Sequence, residues 1–335
     1  MLGRRGFVAG ALALPVAARA AEQWGAVVDT RTRTLGAALA QAEAAGGRPF
    51  RILIKPGVLV EKLIVRAPNV TIEGSGPGTI LQFGTSAGMP APDGKNWGTG
   101  RSQTLAIEAP GVTLRDLTIR NSYDYIGARR DAAGNGSQAV ALAIGRGADR
   151  TTVERCRLEG YQDTLYIHTR SLFADCRIVG GVDFIFGGAA AWFEGCEIVT
   201  RFVPNAEGSG YLTAPSTPLA QKFGMVFHRC RLTHEPNVPA GSAWLGRPWR
   251  AGGNMELTGQ SVFLHCWMGA HIRRAGWTWM GYKNPAGEQK QLTPPEARLF
   301  EYRSRGPGAG PEGPDRRFLT AAEAAEFTRA NVIGF

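Results

Sequence analysis

Val153-Glu154-Arg155-Cys156-Arg157-Leu158, Phe173-Ala174-Asp175-Cys176-Arg177-Ile178 and Phe193-Glu194-Gly195-Cys196-Glu197-Ile198 repeat one phrase at intervals of 20 residues. Each copy alternates apolar and polar positions and is rich in aromatic and β-branched residues, as a strand is. Looser copies follow at Phe227-His228-Arg229-Cys230-Arg231-Leu232 and Val262-Phe263-Leu264-His265-Cys266-Trp267, and a copy without cysteine precedes them at residues 112–119. A period of about 20 residues holding strands but no helix-length segment fits one coil of a parallel β-helix, whose coils bury their inward side chains on one another. The leucine and asparagine pattern of a leucine-rich repeat, which has a similar period, is absent. The expected fold is therefore all-β, a single-stranded right-handed parallel β-helix with short terminal helices. Thr34 to Ala45 is predicted as a helix closing the N-terminal end of the stack. Thr320 to Asn331 is predicted as a C-terminal helix, opened by the capping box Thr320-Ala321-Ala322-Glu323.

Composition agrees with a turn-rich globular chain: of 335 residues, 44% are hydrophobic, 20% are charged, 45 are Gly and 20 are Pro. Arg4-Arg5, an apolar run from Phe7 to Ala18, and Ala18-Arg19-Ala20-Ala21 follow the order of a secretory signal. Residues 1–21 are thus expected to be removed, and Arg4-Arg5-Gly6-Phe7 also resembles a twin-arginine signal. Residues 22–335 are expected to form one catalytic domain, secreted or periplasmic, with no membrane span. The Gly/Pro-rich residues 305–314 read as a surface loop. A formal charge of +10 suits a polyanionic partner. Nucleic acid is the weaker choice, because Arg and Lys are scattered and no nucleic-acid motif is present.

The chemistry is not that of common hydrolases, since G-x-S-x-G, H-E-x-x-H and paired C-x-x-C motifs are missing. Gly74-Ser75-Gly76-Pro77-Gly78 reads as a turn, because strand-like residues follow where a phosphate loop would open a helix. Attention falls instead on Gly160-Tyr161-Gln162-Asp163-Thr164-Leu165-Tyr166 and Gly181-Val182-Asp183-Phe184-Ile185-Phe186-Gly187. Asp163 and Asp183 are one coil apart, so their carboxyls are expected to face each other across about 4.8 Å. Like charges that close resist joint ionisation, which provides an acid beside a nucleophile. From spacing alone, a structural aspartate ladder or a calcium site fits as well.

These two segments resemble the signature segments of pectinesterases (pectin methylesterases) of the bacterial type, which are pectin-lyase-like β-helices. Gln138-Ala139-Val140-Ala141-Leu142 and Leu245-Gly246-Arg247-Pro248-Trp249 resemble the family's glutamine and arginine segments. Tyr211 to Ser216 and Phe300-Glu301-Tyr302 through Ala309 look like further landmarks. One position departs: Leu59, in Gly57-Val58-Leu59-Val60-Glu61, stands where the family carries an aromatic.

The resemblance implies hydrolysis of the methyl esters of polygalacturonate, by a chain expected to be a monomer; carboxylate attack with glutamine donors is expected to need no metal or other cofactor. It implies Asp183 as nucleophile and Asp163 as acid and base. Gln138 and Gln162 become oxyanion donors, and Arg247 the partner of Asp183. Tyr166, Phe186, Trp249 and Trp277, with Val182, are candidate walls of a groove for sugar rings; motif position favours Phe186 and Trp249, Met280 stands where the family places another apolar contact, and core packing explains each aromatic nearly as well. It also selects Cys176 and Cys196 as a disulfide, where geometry alone leaves Cys156 in competition. A pectin lyase or two-carboxylate glycosidase, a thioesterase-like relative, and a noncatalytic carbohydrate-binding β-helix are the rival readings.

Overall fold

The computed structural model describes residues 24–130, 136–205 and 208–335, and the signal read at residues 1–21 lies outside them. Three parallel sheets of eleven, seven and eight strands wind around a common core, and successive turns of chain add one strand to each. The coil carrying Asp163 shows the order: Thr151–Glu154 joins the eleven-stranded sheet, Arg157–Glu159 the eight-stranded one, and Leu165–Ile167 the seven-stranded one. This is a parallel β-helix. Its coils pair in register, with Val153, Phe173, Phe193, Phe227 and Phe263 aligned across five strands.

Register turns the repeated phrase into interior columns. Phe173, Phe193, Phe227 and Phe263 are fully buried, and their rings stack at 4.6, 4.4 and 4.5 Å between centroids. A second column runs through Ile119, Leu158, Ile178, Ile198 and Leu232. Between these columns the chain bends sharply, with one residue per coil at positive φ: Asp116 (52°), Arg155 (50°), Asp175 (53°), Gly195 (62°), Arg229 (54°), His265 (55°) and Arg303 (49°). The left-handed conformation makes the corner possible in a single residue, and the next position in five of these coils is cysteine.

Those cysteines correct the expected disulfide. Cys156, Cys176, Cys196, Cys230 and Cys266 are all free and buried. Each thiol from Cys176 onward donates to a carbonyl of the coil before it, as Cys176 Sγ does to Val153 O (3.3 Å) and Cys196 Sγ to Phe173 O (3.4 Å). A column holds equivalent side chains parallel at the coil spacing of about 4.8 Å, whereas a disulfide draws its Cβ atoms to about 3.8 Å. Burial also pushes the Cys156, Cys176, Cys196 and Cys230 thiols well above their usual range, which withholds the reactive thiolate.

The N-terminal helix, Leu35–Ala44, is capped by the Thr34 hydroxyl and buries Leu35, Ala38, Leu39 and Ala42 on the end of the core. At the other terminus the expected single helix is two short ones, Ala321–Ala325 and Arg329–Val332. The capping box at Thr320 and Glu323 forms, but Thr328 caps a second helix and so interrupts the first. Val332 and Ile333 pack with Trp192, Val226 and Val262 in a cluster separate from the interior columns. Residues 74–78 form the turn between strands Val70–Glu73 and Thr79–Phe83. Leu59 is buried in the main core, so its departure from an aromatic is a matter of packing. No helix among the described residues is long and apolar enough to cross a membrane.

Candidate active site

The seven-stranded sheet carries a cavity of about 290 Å³ on its outer side. Asp163 and Asp183 sit just before consecutive strands of this sheet, Leu165–Ile167 and Ile185–Gly187. Gln162 and Val182 form a parallel bridge, and Asp163 N donates to Val182 O at 3.0 Å. The aspartates therefore occupy matching positions one coil apart. Both take positive φ, 64° and 46°, so both carboxyls leave the backbone in the same sense. The glycine closing the second segment is also required: at Gly187 (φ 121°) an added Cβ would lie 2.1 Å from Ile167 O.

Arg247 separates the pair chemically. Its Nε donates to Asp183 Oδ1 at 3.0 Å and its Nη2 to Oδ2 at 2.6 Å, a bidentate clamp on one aspartate. Tyr211 supports the guanidinium from below, with the ring centroid 3.8 Å from Cζ. Preceding glycine lets the strand come close enough, because a Cβ at Gly246 would meet Thr213 Oγ1 at 2.1 Å. Asp163 has no such clamp. Burial, and then the charge of Asp183, raise its carboxyl well above the usual range, and the opposing pull of Arg247 is the smaller effect.

Gln138 and Gln162 reach the same cavity from neighbouring coils. Ala139 N donates to Gln162 O (3.0 Å), and Gln138 O accepts from Ala87 N (2.8 Å). Asn121 braces this region by donating to the carbonyls of Thr85, Ser102 and Val140. The floor is apolar: Phe186 stacks on Tyr166 at 4.2 Å and leans on Trp249 at 5.9 Å, with Met280 beside them. Beyond Tyr166 and Trp249 the groove continues into a space of about 250 Å³ bordered by Arg146 and His168. Burial, and then Arg146, push the His168 imidazole down to about 4, so it is neutral at pH 7.

Most expected residues thus meet: Asp163, Asp183, Gln138, Gln162, Arg247, Tyr166, Phe186, Trp249 and Met280 share one cavity. Trp277 does not. It is 1% exposed and packs 5.7 Å from Phe263 at the end of the phenylalanine column, which corrects its assignment as a substrate contact. Trp279, two residues on, is 50% exposed. Val182 is half-buried and is not among the cavity walls.

Thr99, Gly100 and Ala214 line the cavity without having been singled out. Ala214 lies in the landmark segment at 211–216. Thr99 and Gly100 come from an inserted loop with no periodic signal. That loop is pinned by Arg101 Nη1 on Asp93 (2.6 Å) and by Lys62, whose Nζ donates to Gln103 O and sits 4.7 Å over the Trp97 ring. Burial, and then Arg101, push the Lys62 ammonium down to about 8.

A carboxylate pair, one clamped and one raised, beside amide donors on an apolar floor has the parts of a hydrolase that works by carboxylate attack. The comparisons name the family. Residues 26–334 match the profile of the family Pectinesterase, and the chain belongs to it. It is 40% identical to "Pectinesterase A" of Dickeya chrysanthemi over 95% of this chain and 92% of that one. A crystal structure of pectin methylesterase in complex with a hexasaccharide superposes with a TM-score of 0.89 at 39% identity, over 94% of this chain and 98% of that chain. Pectin methylesterase from Yersinia enterocolitica gives 0.85 at 39% identity, over 89% and 98%.

Proposed function

We propose that this chain is a carboxylic ester hydrolase that removes methyl groups from esterified polygalacturonate, with Asp183 as nucleophile and Asp163 as acid and base. The observation that carries this reading is the asymmetry of the pair: Arg247 binds Asp183 through Nε and Nη2, while Asp163 is buried without a cation of its own.

One oxygen of Asp183 attacks the ester carbonyl carbon, and the carbonyl oxygen becomes an oxyanion that accepts hydrogen bonds from the side-chain amides of Gln138 and Gln162. Collapse expels methoxide, which takes the Asp163 proton and leaves as methanol. The ionised Asp163 then removes a proton from water, and the hydroxide attacks the acyl group. Galacturonate departs with a free carboxyl group, Asp183 is restored, and Asp163 holds the proton again. Tyr166, Phe186, Trp249 and Met280 support the sugar rings.

The enzyme acts outside the cytoplasm as a monomer, after residues 1–21 are removed, with residues 22–335 as one catalytic domain. Methanol release from highly methylated pectin, followed together with viscosity, tests the reading. The expected outcome is methanol at constant polymer length. Falling viscosity with new chain ends would point to a lyase or glycosidase, and no methanol at all to a binding protein or a thioesterase-like relative.

A further inference from the structure

The corner between the eleven- and eight-stranded sheets lies across the coil from the catalytic sheet, and its ladder of side chains changes character along the molecule. In the early coils cations meet anions: Arg155 binds Asp116 through Nε (2.8 Å) and Nη2 (2.7 Å). Further along, the corner and its flank hold Arg229, Arg231, His265 and Arg305, which with Trp267 and the buried Cys230 enclose a cavity of about 450 Å³. None of these walls carries a carboxylate. Among the described residues the three arginines are exposed and take part in no ion pair, although paired arginines are the rule on the preceding coils. The nearest anion in register, Glu197 beside Arg231, is already held by Arg177 and by the Thr233 hydroxyl (2.9 Å). Arg231 lies 5.1 Å over the ring of Trp267, which is half-buried and gives the site one apolar wall. His265 is lowered by burial and then by His228, Arg303 and Arg229, which marks the same local excess of positive charge.

From this we infer that the corner cavity is a second binding site, separate from the catalytic groove, for free carboxylates on a stretch of de-esterified uronate polymer. Three arginines border one cavity whose walls carry no carboxylate, and planar guanidinium forks match carboxylates in two-point contacts. Trp267 offers the C–H face of a sugar ring an apolar surface. The inference rests on the reading that the substrate is polygalacturonate, since the ligand is that reaction's product. Holding product across the coil from the groove keeps the enzyme near remaining esters on the same polymer through a raised effective concentration.

Equilibrium binding of unmethylated polygalacturonate tests this with three proteins: wild type, R229Q/R231Q/R305Q, and R48Q/R274Q/R329Q, which removes the same charge from exposed arginines elsewhere. The corner triple should bind about tenfold more weakly at about 0.1 M salt, and the scattered triple should stay close to wild type. R305Q alone should lose about threefold. Methanol release from a short methyl galacturonate and the melting temperature should be unchanged in all of them. Wild-type binding by the corner triple, or equal losses by both triples, overturns the inference. Loss of binding to duplex DNA or anionic vesicles with polygalacturonate binding intact also overturns it, since the ligand class would be wrong. A wild-type protein that releases no methanol while the corner triple still loses polymer binding would refute the esterase reading and leave the second site standing.

Discussion

Asp163 and Asp183 share a backbone conformation and a position in the repeat, so their different chemistry comes from what stands beside each carboxyl. Asp183 has the bidentate Arg247; Asp163 has burial and a neighbouring negative charge. With an activated aryl ester, whose leaving group needs no proton, Asp163→Asn should show an acylation burst and then slow turnover, while Asp183→Asn should show no burst. On methylated pectin both should fall roughly a thousandfold. A burst kept by Asp183→Asn and lost by Asp163→Asn would exchange the roles.

Stability provides an independent measure of the same asymmetry. A carboxyl raised on folding contributes stability that is fully present below its unfolded pKa, about 3.9, and is lost as pH rises through the folded value. Asp163→Asn should therefore melt above wild type at pH 7, and the gap should close below about pH 4. A gap independent of pH would mean that Asp163 is not the strained carboxyl. Both aspartates were legible in sequence because their 20-residue spacing equals the coil. Trp277 was not legible, because an aromatic residue type alone cannot tell an inward ring from one at the groove, and its burial beside Phe263 is what places it.

At the scale of elements, the strands were legible wherever coils are short. Cys156, Cys176 and Cys196 keep strict spacing, but Cys230 and Cys266 follow after 34 and 36 residues, since loops enlarge the later coils without disturbing their register. Such loops carry no period, which is why Thr99 and Gly100 escaped notice although they line the cavity. The cysteine column was legible as a column, yet neighbouring coils keep its thiols parallel and unbonded. Peptide mapping without reduction should find five free thiols, and a Cys176–Cys196 bridge would contradict the structure. The phenylalanine column is the stronger contributor to stability. Phe193, stacked on both sides by Phe173 and Phe227, should cost about 3–5 kcal/mol on replacement by alanine, read from denaturant unfolding. A loss below about 1 kcal/mol would mean that the coils collapse to fill the gap.

For the whole molecule, the net charge of +10 is unevenly used. Many coil arginines are neutralised by an acid on an adjacent coil, as in Arg115–Glu154, Arg120–Glu159 and Arg201–Glu235 at 2.7 to 3.0 Å, so they add little field at a distance. The cations at the corner cavity, unpaired among the described residues, and Arg146 beside the groove are left to act on a polyanion. Their pull is exerted through water and is screened beyond about 10 Å at 0.1 M salt, whereas the proposed attack by Asp183 takes place in contact with an apolar floor. Salt should therefore act on encounter and leave chemistry alone. Between about 0.05 and 0.5 M salt, KM for partly de-esterified pectin should rise on the order of tenfold with kcat nearly constant, and KM for a short neutral methyl ester should hardly move. In R229Q/R231Q/R305Q the polymer's salt dependence should shrink toward that of the short ester. Equal salt dependence for polymer and short ester in the wild type would mean that the surface charge takes no part in recruiting substrate.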